Sequence, residues 1–112
     1  MVNMTMERSY AAVEPARSEI DALSAPVLVE FGAPWCGFCQ AAQEPLAEAM
    51  AQYPQVMHFK IEDGKGRRLG RSFGVKLWPT LVFMNGGKEV ARLVRPDNAG
   101  EIRDALKHIA AE

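Results

Sequence analysis

The chain has 112 residues, with 13 basic and 14 acidic side chains, a formal net charge of −1 and two cysteines. That length can bury the core of one compact domain without a metal or disulfide staple. Near-balanced charge removes any bulk pull toward nucleic acid or membrane, and two cysteines close together cannot form a secreted disulfide framework.

Residues 1–8 read as a loose tail ahead of one domain over residues 9–112. The tail has methionine at positions 1, 4 and 6 and lacks the apolar stretch of a signal peptide. No apolar run approaches membrane-spanning length, so a cytoplasmic location is the expectation. Residues 10–13 suit a short edge strand. Pro15 suits the first turn of a helix, which carries Ile20 and Leu23 on a narrow apolar side and stops before Pro26. Val27, Leu28, Val29 and Phe31 form an apolar run too short for a helix and long enough for an interior strand. Gly32, Ala33 and Pro34 end it. Glu30 is the polar residue within this run. Alternation puts it on the face opposite Val29 and Phe31, which helices would also cover; at a strand edge it would simply meet solvent. A carboxyl buried there without a partner would be pushed up, which suits a proton acceptor.

A helix over residues 36–52 follows, with Ala42, Leu46, Ala49 and Met50 at helical spacing and Pro54 as its stop. Pro45 removes one backbone bond inside it and predicts a kink nearby. Residues 56–61 alternate as a strand. Residues 65–73 suit a short helix with Leu69 and Phe73 inward, weakened by Gly66 and Gly70. Its Lys65, Arg67, Arg68 and Arg71 are explained by a solvated face, and no interleaved aromatics suggest nucleic acid. A strand over 81–84, a hairpin turn at Asn85-Gly86-Gly87 and a return strand over 88–94 come next. Asn98 with Glu101 fits a capping box for a last helix whose stripe is Ile102, Ala105, Leu106 and Ile109. Strands alternating with helices predict an α/β chain with a mixed sheet covered on both faces.

Both cysteines fall in Trp35-Cys36-Gly37-Phe38-Cys39, between the central strand and the following helix. Residues three apart in a first helical turn lie close enough for a disulfide. The free amides and dipole of a helix start favour a thiolate on Cys36, and the thiolate is the nucleophile. Cys39, one turn deeper, is the less exposed partner. Inert packing fits poorly beside Gly, Trp and a helix start. Half a zinc site would need two more ligands from His58, His108 and the carboxylates, and neither histidine has metal-type spacing. No nucleotide-binding fingerprint is present, so electrons must come from another protein or a small thiol.

Trp35-Cys36-Gly37-x-Cys39, then Trp78-Pro79-Thr80, a strand and Phe83-Met84-Asn85-Gly86, resemble the thioredoxin family over about residues 12–110. The resemblance implies the thioredoxin fold, a central mixed β-sheet flanked by helices on both faces. It implies dithiol–disulfide exchange, foremost the reduction of protein disulfides, with the cysteine pair in place of a cofactor. Partners would be disulfide-containing proteins and a reductase or small-thiol donor, met by a monomer. Cys36 is the implied nucleophile, Cys39 the resolving thiol and Glu30 the buried acid that takes its proton. Pro79 is the implied cis-proline. The Trp78 backbone would pair with a substrate strand, and Trp35, Gly37 and Phe38 would line the groove. Phe38 replaces a customary proline, Gln40 a lysine, and Glu30 is longer than the usual aspartate. Pro45 stands one residue farther from the motif than the family kink. Arg95 stands where a small glycine is usual, which would narrow the groove and favour acidic partners. An oxidase or isomerase, or a redox-controlled binding module, stays open on these departures.

Overall fold

The computed structural model describes residues 6–110. In chain order the elements are α1 (Arg17–Asp21), β1 (Val27–Gly32), α2 (Gly37–Ala41), α3 (Gln43–Met50), β2 (Met57–Glu62), α4 (Arg68–Ser72), β3 (Thr80–Asn85), β4 (Lys88–Val94) and α5 (Ala99–Ala110). The strands form one sheet in the order β2-β1-β3-β4. β1 runs parallel to β2 and antiparallel to β3, and β3 pairs antiparallel with β4. This is the thioredoxin fold.

Every residue of β1 is buried, which explains its unbroken apolar run. Its side chains alternate between two cores. Leu28 joins Leu81 and Phe83 under α3 and α5, against Leu46, Ile102 and Leu106. Val27, Val29 and Phe31 face the other way, against Ile20, Leu69 and Phe73 of the α1 and α4 side.

Register positions the site. Glu30 stands opposite Lys60 on one side and Leu81 on the other. Phe31 pairs with Thr80, so β3 begins where β1 ends. The cysteine loop leaves β1 at that end, and the Pro79 loop enters β3 there.

Several boundaries differ from expectation, each for a local reason. Residues 10–13 form no strand. One bond, Ala11 N–H to the Lys60 carbonyl at 2.8 Å, ties them to the sheet edge, and Val13 is 82 % exposed. Pro15 lies before α1, whose N-cap is Ala16; the Ala16 amide donates to Glu19 Oε1 at 2.7 Å. The single helix expected over 36–52 is two. Pro45 has no N–H for the Ala41 carbonyl, and its ring crowds that carbonyl, so the kink becomes a break at Ala42. The helix expected over 65–73 shortens to Arg68–Ser72, since Gly64 and Gly66 adopt positive φ ahead of it. At α5, Asn98 Oδ1 accepts the Glu101 amide at 3.0 Å, while Glu101 reaches back to the Asp97 amide instead of that of Asn98.

Of the expected tail, residues 1–5 lie outside the described residues. Met6 packs against the α3/α5 core, and the Glu7 amide donates to His58 Nδ1 at 2.8 Å. Among the described residues no helix is long and apolar enough to cross a membrane.

Candidate active site

Cys36 is the N-cap of α2, with extended backbone (φ −83, ψ 116), and its sulfur accepts the Cys39 N–H at 3.1 Å. The Cys39 thiol points at the same sulfur, 2.6 Å away. Cys36 is half-buried and Cys39 is 2 % exposed. Because α2 is only five residues long, what Cys36 receives is chiefly this one directed amide, not the dipole of a long helix. Gly32, at the end of β1, passes directly behind the inner thiol. A Cβ there would fall 2.5 Å from Cys39 Sγ. Burial pushes the Cys39 thiol up to about 12, reinforced by its bond to Cys36 and by the negative charge of Glu30. Cys39 therefore keeps its proton at neutral pH.

Behind the cysteines lies a buried polar cluster. Glu30 is 0 % exposed. Its Oε1 pairs with His58 Nε2 at 2.9 Å, and its Oε2 accepts from Lys60 Nζ at 3.0 Å and Gln43 Nε2 at 2.8 Å. The Glu7 amide occupies His58 Nδ1, which fixes Nε2 as the protonated nitrogen facing Glu30. Gln43 also donates to the Cys39 carbonyl at 3.0 Å and accepts from Lys60 at 3.1 Å. Burial by itself raises Glu30, but the His58 bond, the Lys60 charge and the Gln43 bond together outweigh it, and the net direction is down. The expectation of an unpartnered, raised carboxyl is thus reversed: Glu30 is fully partnered and held ionised. It makes no hydrogen bond to the Cys39 thiol and reaches that residue's backbone through Gln43.

A cleft of about 100 Å³ opens beside Cys39, lined by Tyr10, Pro34, Gln43 and Lys60 among others. The point where a Gly32 Cβ would stand is 3.2 Å from the Tyr10 hydroxyl, so that hydroxyl neighbours the Cys39 sulfur. Burial, then the charges of Cys39 and Glu30, push Tyr10 above the ordinary tyrosine range. Lys60 Nζ sits 4.5 Å over its ring. No motif marks Tyr10, since it comes to the site from 26 residues before Cys36 in sequence. The zinc alternative lacks donors: His58 is committed to Glu30, His108 Nδ1 lies on the Asp104 carbonyl, and among the described residues no group of three or more His, Cys, Asp or Glu could hold a metal.

The second wall is the Trp78–Pro79 loop, whose peptide is cis. The Thr80 hydroxyl donates to the Leu77 carbonyl at 2.6 Å, and Trp78 Nε1 donates to Asp63 at 2.9 Å, so both sides of the loop are pinned. The Trp78 ring meets Trp35 edge-on at 6.3 Å. Trp35 and Phe38 are 68 % and 59 % exposed, and a side chain at Gly37 would meet open space. Arg95 closes the ring. Its amide donates to the Pro79 carbonyl at 2.9 Å, its Nε to the Trp78 carbonyl at 2.8 Å, and its guanidinium lies 3.9 Å over the Phe38 ring. The structure therefore gathers Cys36, Cys39, Trp35, Gly37, Phe38, Trp78, Pro79 and Arg95 at one end of the sheet, with Glu30 buried behind. The Trp78 carbonyl, part of the backbone expected to pair with a substrate strand, accepts one bond from Arg95 Nε.

Comparison with known proteins bears on this arrangement. The Thioredoxin family model matches residues 11–108. A thioredoxin of Aspergillus fumigatus is 30% identical over 88 residues, covering 79% of this chain and 82% of its own. A thioredoxin of Chlamydia muridarum is 40% identical over 68 residues, covering 61% of this chain and 67% of its own. The solved structure of reduced thioredoxin 2 from Pseudomonas aeruginosa is 56% identical, with a TM-score of 0.82 and coverage of 93% of this chain and 97% of that one. Geometry and kinship agree: the chain belongs to the thioredoxin family and is a thiol–disulfide oxidoreductase.

Proposed function

We propose that the chain reduces protein disulfides, with Cys36 as nucleophile and Cys39 as resolving thiol. One observation carries the assignment. The accessible sulfur is Cys36, which accepts an amide N–H, whereas the Cys39 thiol is buried and protonated beside it. The Cys36 thiolate attacks one substrate sulfur, forming a mixed disulfide, and the other substrate sulfur leaves as a thiolate. Cys39 then gives up its proton and attacks Cys36 Sγ. The remaining substrate sulfur departs, and a Cys36–Cys39 disulfide is left. Two electrons have passed to substrate, and a reductase or small thiol must return them.

Glu30 acts in this scheme through its fixed charge. Its oxygens are taken by His58, Lys60 and Gln43, so it does not take the Cys39 proton directly, and its charge adds to the burial that keeps Cys39 protonated. The proton leaves on the side of the cleft lined by Tyr10 and Lys60. Trp35, Gly37, Phe38, Trp78 and Pro79 form the substrate groove. The protein works as a monomer in the cytoplasm, where a reducing poise maintains the dithiol.

The test is insulin-disulfide reduction driven by dithiothreitol. Wild type accelerates precipitation and Cys36→Ser does not; equal rates overturn the proposal. Cys39→Ser accumulates mixed disulfides with substrate, and their absence would favour a binding module. Titration against glutathione separates a reductase from an oxidase or isomerase, whose pair would rest as the dithiol at a higher potential.

A further inference from the structure

We propose that Arg95 is a specificity-determining residue that reads a carboxylate next to the disulfide under attack, so that the preferred substrates carry Asp or Glu beside the reacting cysteine. The inference rests on the disulfide-exchange reading and adds to it a chemical class of substrate.

Arg95 is anchored and incompletely used. It adopts φ 52, a conformation that favours glycine, and its own amide is fastened to the Pro79 carbonyl. Nε is spent on the Trp78 carbonyl and one guanidinium face on Phe38. These contacts fix the plane of the group without consuming its outer edge. Among the described residues neither Nη atom makes a hydrogen bond, and no carboxylate lies within salt-bridge distance. The outcome is a rigid, two-pronged donor with its charge unpaired. That shape matches a carboxylate, which accepts two parallel N–H bonds.

Location makes the fork relevant to substrate. Phe38 lies between the two cysteines in sequence, and Trp78 precedes Pro79, so Arg95 bridges both walls of the groove. Phe38 beneath the guanidinium, Val94 next to it in the chain, and Trp35 and Leu77 of the cysteine and Pro79 loops are all exposed apolar side chains. A substrate laid over that surface excludes water from the pair and strengthens it. Four of the seven other arginines are matched, Arg17 with Asp21, Arg67 with Glu62, Arg92 with Glu89 and Arg103 with Glu48; among the described residues none of the seven is fastened to the Trp78–Pro79 loop. Arg95 has only neutral partners at a site where substrate must pass.

The experiment uses peptides in which one cysteine is disulfide-bonded to a chromogenic thiol and a neighbouring position is Asp, Asn or Lys. Second-order rate constants are measured for wild type, Arg95→Gly and Arg95→Lys at low and high salt, and each protein's Asn peptide serves as its own reference. Glycine suits the backbone at this position. For wild type the Asp peptide is expected to react roughly five- to tenfold faster than the Asn peptide at low salt, the range of an exposed but well-aligned charged hydrogen bond. The Lys peptide is expected to fall below the reference, and salt to compress the spread. Arg95→Gly brings the Asp/Asn ratio to about one, and Arg95→Lys gives an intermediate ratio, since charge survives and the fork does not. A wild-type ratio of one, or an Arg95→Gly ratio equal to that of wild type, overturns the inference. Failure of wild type to react with any peptide instead overturns the exchange reading, and the inference with it.

Discussion

An ionised carboxylate survives at the centre of β1 because three side chains donate to it. His58, Lys60 and Gln43 replace the water that Glu30 loses. The pH consequence has a definite sign. The folded-state value of Glu30 lies below its ordinary 4.5, so the unfolded chain takes up this proton first as pH falls. The contribution to stability is complete above that ordinary value and is lost as pH drops through the lower folded one. Urea unfolding of wild type and Glu30→Gln across this acid range checks it: the gap between the two should narrow as pH falls, and a gap that stays constant or widens would contradict the account. The carboxylate itself was legible in the sequence as the polar member of an apolar run. Its partners were not. Gln43, His58 and Lys60 come from α3 and β2, and nothing in local spacing says that their side chains converge. Reading Glu30 as unpartnered gave the wrong direction for that reason. Tyr10 escaped similarly, since its contact with Cys39 depends on how the segment before α1 crosses the sheet edge. The cysteines and Pro79 were legible because their roles are written in adjacent residues.

At the scale of elements, periodicity located every helix and strand that buries a full stripe, and it failed where a segment has none. Residues 10–13 look strand-like in composition but make a single bond to the sheet, and Pro45 turned a predicted kink into a break between α2 and α3. The break leaves α2 as a short cap that presents both sulfurs over the end of β1. How closely β1 approaches that cap is set by Gly32, whose turn-like reading beside Pro34 concealed a packing role. Gly32→Ala puts a methyl group 2.5 Å from Cys39 Sγ, with the Tyr10 hydroxyl also crowded. Strand and cap must separate to admit it. We expect a loss of about 1–3 kcal/mol in the stability of the reduced protein, as for other overpacked sites. The resolving step should slow more than the first attack, because the displaced sulfur is that of Cys39. Chemical denaturation and trapping of the mixed disulfide measure the two effects. An unchanged lifetime of the mixed disulfide would mean that the strand end does not set the position of the inner thiol.

Across the whole molecule, one sheet serves two cores. β1 and β3 send alternate residues to each side, so Leu28 and Phe83 belong to the α3/α5 core while Val29 and Val82 belong to the α1/α4 core. Neither core can dissolve without stripping one face of the same two strands, and a sheet face without its cover exposes buried apolar area to water. The two cores are therefore expected to unfold as one cooperative unit. Leu106→Ala tests the α3/α5 side and Phe73→Ala the α1/α4 side, with expected costs of about 2–5 and 3–5 kcal/mol, the usual range for such truncations. Far-ultraviolet dichroism reports the sheet and helices, and the fluorescence of Trp35 and Trp78 reports the active-site end. For both variants the two signals should shift to lower denaturant together, since the strands that carry the cores also hold the cysteine and proline loops at their shared end. If Phe73→Ala moved the fluorescence transition and left the dichroism behind, the α1/α4 side would be a separate layer. The site would then be held by half of the fold instead of by all of it.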